Sequence, residues 1–491
     1  MAGLGLLVIL LDLLVSRKSL LVGLAFLGLA APLLLGLLLL FDLKSSGATN
    51  LVPSDSVLSQ SVAVDQFALF FNFLILAATA LVVLASTDYV RRIERNQGEY
   101  FGLILLSATG MMLMVAATEL ITIYISLELT TLPLAALAAF LLTSKSSEAG
   151  MKFLIIGAIS SAIMLYGMAL VFGFTGSTNL EGIAASFREP AQQDVPFDSY
   201  AMLVGVVLML VGFGFKLSSV PFQMWVPDVY EGGPTPVVAF LSVASKAAAF
   251  GLVLRFFYTG FLAVEVDWGI LLAILAAASM TIGNLAAIAQ SNIKRLFGYS
   301  TIAHAGYILI GVAAVAHGAF DDSGFTAFGP SSVLFYLGAY TAANLTAFFA
   351  MVAISNRIES DQIDDYAGMV RRSPFLTVAL ALALIALIGV PPTSIFIAKI
   401  YVFTAAVNSG LTWLAVLGVV NSVVSAYYYV RVIRVIFLQE PASTEAIPSS
   451  IPFKFALVTA GAAMLWLGIA PGAILSAAEN AVAVLAGIAP R

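Results

Sequence analysis

Long apolar runs follow one another along most of the chain, with short polar segments between them. A helix that crosses a bilayer needs about 20 predominantly apolar residues. Fourteen segments approach or exceed this length, and we number them as spans in chain order. The spans are 2–16, 20–41, 63–86, 99–116, 120–142, 151–174, 200–218 with a continuation to about 230, 234–258, 268–290, 299–317, 331–356, 374–390 with a continuation to about 407, 411–438 and 452–476. This pattern predicts an all-α polytopic membrane protein.

The first and second halves of the pattern each contain one broken span. Span seven is interrupted at SSVPFQMWVP around Pro221, and span twelve at IGVPPTSIF around Pro391. Proline removes a backbone donor, and in lipid the freed carbonyl groups must be shielded by protein or by an internal cavity. The breaks are five spans apart, so units repeating at that interval face opposite ways. We therefore predict two inverted five-helix repeats, spans four to eight and nine to thirteen, as in many transporters.

The composition agrees with a membrane location, since 61% of the 491 residues are hydrophobic and only 10% are charged. A soluble domain carries roughly 25% charged residues. The polar segments are too short to form such a domain, so we expect a single membrane domain over residues 1–491. Its parts are N-terminal helices in 1–98, the first repeat in 99–258, the second repeat in 268–438, and a C-terminal helix with a tail in 452–491.

Lysine and arginine are distributed unevenly between the two sides of the predicted bundle. Fifteen lie in loops that follow odd-numbered spans, four lie on the opposite side, and three lysines lie within spans. Because cytoplasmic loops carry an excess of these residues, we expect the first set to face the cytoplasm and both termini to face away from it. The N-terminal run lacks a basic region and a cleavage site, so we interpret it as a span and not as a signal peptide.

Five ionisable residues within the spans are candidates for chemistry. A charged side chain at the centre of a bilayer costs roughly 2.5–3.5 kcal/mol on insertion scales, so such residues usually mark an ion pathway. Burial disfavours a charged lysine, a nearby carboxylate favours it, and histidine titrates near neutrality. We therefore predict a proton relay that runs parallel to the membrane. Its members are Glu128, Lys216, Lys246, His304 and Lys399, on spans five, seven, eight, ten and twelve.

Each candidate also has a structural interpretation. Glu128 could be a neutral, hydrogen-bonded packing residue, and Lys216 lies near a span end, from which it could reach the interface. His304 could serve helix packing, whereas Lys246 lies twelve residues into its span and is too central to reach water.

The remaining charged residues near span ends are expected to have structural roles. We expect four of them to anchor helices at the membrane interface. These four are Glu119, Arg255, Lys294 and Arg295. Asp228 and Glu231, in WVPDVYEGGPTP, could cap a helix or dock a partner.

Several kinds of cofactor are excluded or disfavoured. The absence of cysteine excludes iron–sulfur ligation by thiolates and thiolate catalysis. The only histidines, His304 and His317, lie toward opposite ends of one apolar segment, which disfavours a bis-histidine haem. We give His317 no role. The sequence has no basic tract suited to nucleic acid. We expect no metal or redox cofactor on this chain.

Three motifs resemble those of a known family. They are KLSSVPFQMWVPDVYEGGPTPVVAFLSVASK, NIKRLFGYSTIAHAGY and IGVPPTSIFIAKIYVF. The chain resembles the antiporter-like, proton-translocating membrane subunits of respiratory complex I, and in detail the subunit N group of that family. The resemblance spans nearly the whole chain.

This resemblance implies fourteen helices, inverted repeats, and discontinuous helices seven and twelve. It also implies a Glu128–Lys216 pair, a central Lys246, His304 on the relay and a terminal Lys399. The family's subunits bind no redox cofactor, because flavin mononucleotide, iron–sulfur clusters and quinone belong to other subunits of the complex. The implied partners are lipids and the neighbouring antiporter-like and small membrane subunits.

The leading hypothesis is thus a proton-translocating subunit of an NAD(P)H or ferredoxin:quinone oxidoreductase in a bacterial inner membrane. One alternative is a subunit of a multi-component cation/proton antiporter or of a membrane-bound hydrogenase. A second is a membrane scaffold without a transport role. Subunits found in a mild-detergent purification would separate the first two, and loss of transport on substitution of Lys246 would exclude the third.

Overall fold

The computed structural model describes residues 1–14, 19–53, 56–90, 96–187, 196–261, 268–318, 328–441, 443, 445–447 and 450–485. Within these residues the chain is helical, and β-structure is limited to isolated bridges. The helices are α1 (Ala2–Leu14), α2 (Ser19–Gly28), α3 (Ala30–Ser46), α4 (Gln66–Val90), α5 (Gln97–Ala116), α6 (Leu120–Ala138), α7 (Ser144–Thr175), α8 (Leu180–Ser186), α9 (Pro196–Leu217), α10 (Val226–Gly232), α11 (Thr235–Phe240), α12 (Lys246–Arg255), α13 (Trp268–Ile288), α14 (Ile293–Gly318), α15 (Phe328–Ile358), α16 (Met369–Arg372), α17 (Pro374–Ile388), α18 (Ser394–Asn408), α19 (Thr412–Leu438), α20 (Ile451–Ile469) and α21 (Gly472–Leu485).

The prediction of an all-α membrane protein is confirmed. In the described part of the chain, eleven helices are long and apolar enough to cross a membrane, and five shorter helices are also apolar. Each predicted span coincides with one helix or with two consecutive helices. Helices suit this environment because they satisfy their backbone hydrogen bonds internally.

The C-terminal part differs from the expectation of one helix through residue 476 followed by a tail. Helix α20 ends at Ile469, and α21 follows after Pro471 and packs against α4 and α15. Proline disfavours helical geometry in the residue before it, and Ala470 is accordingly non-helical, with φ −131° and ψ 67°.

The centre of the molecule is the continuous helical segment Thr235–Phe261. It contains α11, a π-helical turn at Leu241–Ser245, α12, and a second π-helical turn at Phe256–Phe261. Every residue of its most apolar stretch is buried, and α14 and α15 are nearly as deeply enclosed. By contrast, α3, α7 and α19 expose many leucine, isoleucine and valine side chains, as expected for surfaces that face lipid or other subunits.

The first break lies around Pro221, between α9 and α10. Side chains supply hydrogen bonds to the backbone there. The indole Nε1–H of Trp225 donates to the carbonyl of Phe215 at 3.1 Å, and the backbone N–H of Val220 donates to Ser279 Oγ on α13 at 3.0 Å. Two polar backbone groups at the break thus have partners within the protein, as irregular backbone at membrane depth requires, although Pro221 and Met224 are themselves exposed.

The second break lies around Pro391, between α17 and α18. Gly389 follows the last residue of α17 with φ +91°, a conformation that glycine adopts without a steric penalty. The ammonium group of Lys399 donates to the carbonyl of Ile388 at 2.8 Å. A buried side chain thus serves a carbonyl that the helix leaves without a partner.

Two residues expected at the membrane interface are instead buried in ion pairs. The guanidinium of Arg255 binds both carboxylate oxygens of Asp65, at 2.8 and 2.9 Å, and donates to the carbonyl of Val115 at 2.8 Å. Lys294 pairs with Asp361 at 3.1 Å. The anchoring prediction is wrong for both, because each side chain finds an intramolecular carboxylate on a neighbouring segment.

The other charged residues near helix ends also bind within the chain. Arg295 on α14 lies 2.6 Å from Asp228 and 3.2 Å from Glu231, both on α10. Lys152 on α7 lies 2.6 Å from the second oxygen of Asp228. Glu119 is the N-cap residue of α6. The segment after the first break is thereby tied to helices in both halves of the chain.

We expect Arg255→Met to lower the free energy of unfolding by about 3–5 kcal/mol, because it leaves the Asp65 carboxylate buried without its partner. Thermal unfolding of the detergent-purified protein measures the change. The matched control is Arg357→Met, which breaks the exposed pair with Glu445 and should cost no more than about 1 kcal/mol. Equal losses in the two variants would contradict a special contribution from the buried pair.

Candidate functional site

Lys246 lies at the centre of the protein, as the first residue of α12 after the π-helical turn Leu241–Ser245. Such turns are frequent at functional sites. The residue is 2% exposed, and its Nζ donates to the backbone carbonyl of Thr301 on α14 at 2.7 Å. The packing of α12 against its neighbours thus holds a lysine deep inside the bundle with a neutral partner.

His304 lies one turn after Thr301 on α14 and is buried. Its Nδ1 is 2.9 Å from the hydroxyl of Tyr336 on α15, and its ring centroid is 5.0 Å from that of Tyr340. The hydroxyl of Tyr340 is in turn 2.9 Å from Thr301 Oγ1. Hydroxyl groups both donate and accept hydrogen bonds, so this environment suits either protonation state of the imidazole.

Lys399 lies on α18, and its Nζ stands 4.6 Å from the centroid of the Tyr307 ring. Its ammonium group also donates to the carbonyl of Ile388 at the C-terminus of α17. The negative end of a helix dipole and the face of an aromatic ring both favour a cation. Tyr307 also contacts His304, with ring centroids 5.6 Å apart.

These contacts form one continuous set, which we name the central group: Lys246, Thr301, His304, Tyr307 and Lys399. Lys246 contacts Thr301, one turn before His304, and Lys399 contacts Tyr307, which in turn contacts His304. Since like charges repel, a proton on one of the three ionisable members disfavours a proton on another. The arrangement can therefore pass a change of charge from one end to the other.

Glu128 and Lys216 form a second group. Glu128 is half-buried on α6, and its Oε1 accepts a hydrogen bond from Ser161 Oγ on α7 at 2.5 Å. Lys216 is 6% exposed in the last turn of α9, and its Nζ makes no hydrogen bond to any described residue. Glu128 is close enough to Lys216 for their charged forms to attract each other, but no ion pair within 4.0 Å joins them. The two charges are thus neighbours without direct contact.

The structure brings three of the five predicted residues into the central group and places the other two in the second group. Within the described residues, no hydrogen bond joins Lys216 to Lys246. Roles for the five residues remain predictions at this point. The side chain of His317 lies outside the described residues.

The sequence did not point to the hydroxyl groups in and around the central group. Tyr336 and Tyr340 lie one turn apart on α15, and Thr301 and Tyr307 flank His304 on α14. Tyrosine counts as apolar in a hydropathy pattern, which conceals it within a span. In the sequence, these residues are marked by their spacing of about one helical turn within otherwise apolar segments, which places them on one face of each helix.

A polar network extends from Tyr307 toward α13 and α19. The amide of Asn284 donates to the Tyr307 hydroxyl at 3.1 Å and to Asn421 Oδ1 at 3.2 Å. The hydroxyl of Tyr428 donates to Asn284 Oδ1 at 3.0 Å. Asparagines within apolar spans were a sequence signal for this network. In the part of the chain that the structure describes, no group of three or more histidine, cysteine, aspartate or glutamate residues is arranged to hold a metal ion.

The chain matches a family model over residues 117–425, described as "NADH:quinone oxidoreductase/Mrp antiporter, TM". It is 44% identical over 427 residues to NADH-quinone oxidoreductase subunit N of Dehalococcoides mccartyi, covering 86% of this chain and 87% of that protein.

Solved structures agree with this likeness. A chain of respiratory complex I from Thermus thermophilus with bound aureothin is 32% identical, with a TM-score of 0.78 over 96% of this chain and 97% of that one. A chain of the Mrp complex from a Dietzia species is 20% identical, with a TM-score of 0.84 over 99% of this chain and 96% of that one. The second likeness shows a common fold alone.

We expect Gly389→Ala to displace Lys399 from its carbonyl partner, because the added Cβ would lie 3.0 Å from Lys399 Cδ. A hydrogen bond to a charged group contributes about 1.5–3 kcal/mol, so its loss should slow proton transport by about tenfold. Proton transport in reconstituted vesicles measures the effect.

The matched control is Gly410→Ala. Gly410 has a similar φ of +80°, but an added Cβ would meet nothing within 4 Å. Both substitutions carry a backbone penalty of about 1–2 kcal/mol. If both variants transport protons equally well, the position of Lys399 does not depend on Gly389.

Proposed function

This chain belongs to the NADH-quinone oxidoreductase subunit N family, so it is an antiporter-like, proton-translocating membrane subunit of respiratory complex I, and we propose that five of its buried ionisable residues carry the protons. These residues are Glu128, Lys216, Lys246, His304 and Lys399. The observation that carries this proposal is the central group, in which two buried lysines and a histidine are joined through hydroxyl, carbonyl and aromatic contacts.

Transfer begins, in this proposal, at the Glu128–Lys216 group. When the carboxylate of Glu128 approaches Lys216, it favours the charged ammonium, and when it withdraws, burial favours release of the proton. At about 4 Å and an effective dielectric constant near 20, the attraction is roughly 4 kcal/mol. That energy is large enough to switch the charge of a buried lysine. Quinone reduction elsewhere in the complex drives the approach and the withdrawal.

The proton then reaches Lys246 and passes to His304 and Lys399. Thr301 and Tyr340 offer hydroxyl groups between Lys246 and His304, and Tyr307 lies between His304 and Lys399. Repulsion between neighbouring positive charges favours emptying one site as the next is filled. Lys399 is the terminal site, from which the proton leaves the chain.

We infer fourteen membrane spans arranged with two inverted five-helix repeats in one membrane domain. Residues 99–258 form the first repeat around the α9–α10 break, and residues 268–438 the second around the α17–α18 break. Residues 1–98 supply the N-terminal helices, and 452–491 the C-terminal part. Each unit contains one broken helix, and a side chain donates a hydrogen bond to a backbone carbonyl beside each break, which supports this arrangement.

The same reasoning extends to location and partners. The chain works beside other membrane subunits, and we propose that these are antiporter-like and small membrane subunits of the same complex. We place it in a bacterial inner membrane with both termini away from the cytoplasm, on the basis of its lysine and arginine distribution. We further propose that it carries no redox cofactor, since electron transfer takes place on other subunits.

Sequence identity separates this function from the alternatives, since the Mrp complex shares the fold at only 20% identity. A scaffold without transport activity does not require Lys216, Lys246 and Lys399, three buried lysines that form no ion pair among the described residues and are costly to insert. Purification with peripheral iron–sulfur subunits tests the assignment directly. Recovery with antiporter subunits alone would favour the alternative.

We expect Lys246→Ala to lower the number of protons pumped per electron by roughly tenfold or more while the complex stays assembled, because α12 offers no other group that can carry the proton. Proton uptake and NADH oxidation, measured together in proteoliposomes, give the ratio. The control is Lys145→Ala, since the Lys145 side chain is 74% exposed and lies outside the relay. An unchanged ratio in Lys246→Ala would remove this lysine from the pathway.

We expect Glu128→Gln to impair pumping by about tenfold or more, since the loss of only 1.36 kcal/mol of the switching energy corresponds to a tenfold change. Glu128→Asp keeps the charge on a shorter side chain and should retain part of the activity. Reconstituted pumping is compared at equal assembly. Activity of the Gln variant equal to wild type would mean that Glu128 is a packing residue.

A further inference from the structure

Ser161 on α7 donates a hydrogen bond to Glu128 on α6. Its Oγ donates to Glu128 Oε1 at 2.5 Å, while Lys216 Nζ is buried and makes no hydrogen bond within the part of the chain that the structure describes. An unpartnered buried ammonium group is unfavourable, and a carboxylate is the partner that would relieve it. The contact with Ser161 therefore holds Glu128 where it leaves Lys216 without a partner.

Close helix packing at Gly157 brings these three residues together. Gly157 lies one turn before Ser161 on α7, and an added Cβ there would lie 3.4 Å from Thr131 of α6 and 3.2 Å from Phe215 of α9. Phe215 directly precedes Lys216. Gly157 therefore lets α7, which carries Ser161, pack closely against both α6, which carries Glu128, and α9, which carries Lys216.

We propose that Ser161 is a positioning residue that holds Glu128 in the separated state of the Glu128–Lys216 pair. Glu128 then has two alternative positions, one bonded to the hydroxyl of Ser161 and one beside the ammonium group of Lys216. The inference rests on the proposed role of Glu128 in proton transfer. Removing the hydroxyl removes the separated position's hydrogen bond, so Glu128 stays near Lys216 and proton release slows.

The test compares Ser161→Ala, Ser161→Thr and Ser160→Ala in the assembled complex. Ser160 is the adjacent residue on α7 and makes no hydrogen bond to Glu128. We expect a several-fold loss of proton pumping per electron in Ser161→Ala, nearly full activity in Ser161→Thr, which keeps the hydroxyl, and no change in Ser160→Ala. Infrared difference spectra, with the Glu128 band identified by its loss in Glu128→Gln, should show that band shifted only in Ser161→Ala.

A double-mutant cycle separates positioning from packing. In the Glu128→Gln background, Ser161→Ala should cause no further loss, because the carboxylate on which it acts is gone. Additive losses, equal damage from Ser161→Thr and Ser161→Ala, or wild-type pumping and an unshifted band in Ser161→Ala would each overturn the proposal. Where Ser161→Ala does not assemble, Ser161→Cys replaces it, with a weaker donor of similar size and the same expected direction.

The outcomes also distinguish this inference from the function on which it rests. Wild-type pumping in Glu128→Gln would overturn the proposed role of Glu128 and the role of Ser161 with it. Impaired pumping in Glu128→Gln together with normal behaviour of Ser161→Ala would overturn the role of Ser161 alone.

Discussion

The rest of the structure depends on one constraint, that buried polar groups must find partners within the protein. The contact between Lys399 and the carbonyl of Ile388 satisfies this constraint for two groups at once. In the interior of a membrane, a polar group that lacks an internal partner costs several kcal/mol. A break in a helix frees carbonyl groups, and a buried lysine brings donors. The lysine therefore donates a hydrogen bond to the free carbonyl, and the negative end of the α17 dipole adds to the attraction. The break in the helix and the buried lysine thus stabilise each other.

The buried lysines differ in the partners they have. Lys246 and Lys399 donate to backbone carbonyls, whereas Lys216 has no hydrogen-bond partner among the described residues and lies near Glu128. A carbonyl accepts a hydrogen bond from an ammonium group and from a neutral amine alike, so the two lysines with such partners can stay in place through a change of charge. In the proposed mechanism, the charge of Lys216 depends instead on the position of the Glu128 carboxylate. This difference suits a switch at one end of the pathway and a fixed relay along the rest.

Ion pairs near the helix ends fix the helices around this polar centre. Arg255 and Asp65 join α12 to the start of α4, and Asp228 joins α10 to α7 and α14 through Lys152 and Arg295. Separating such a pair leaves a charge without its partner, which is energetically costly, so these contacts resist rearrangement. The movement of the Glu128 side chain that we propose would then take place while these helices keep their relative positions.

The sequence by itself determined the fold class, the positions of the spans and the two breaks. These follow from local properties, because the cost of placing a polar or proline residue in an apolar run depends on that run alone. The same cost identifies the five candidate relay residues from the sequence alone. They are Glu128, Lys216, Lys246, His304 and Lys399.

Only the tertiary structure decided which groups meet. Arg255 was expected at the interface, and its carboxylate partner lies 190 residues away in sequence. The sequence likewise did not predict the tyrosine hydroxyls around His304 or the hydroxyl of Ser161 at Glu128. Side-chain partners depend on which helix faces pack together, and hydropathy along the chain carries no information about that packing.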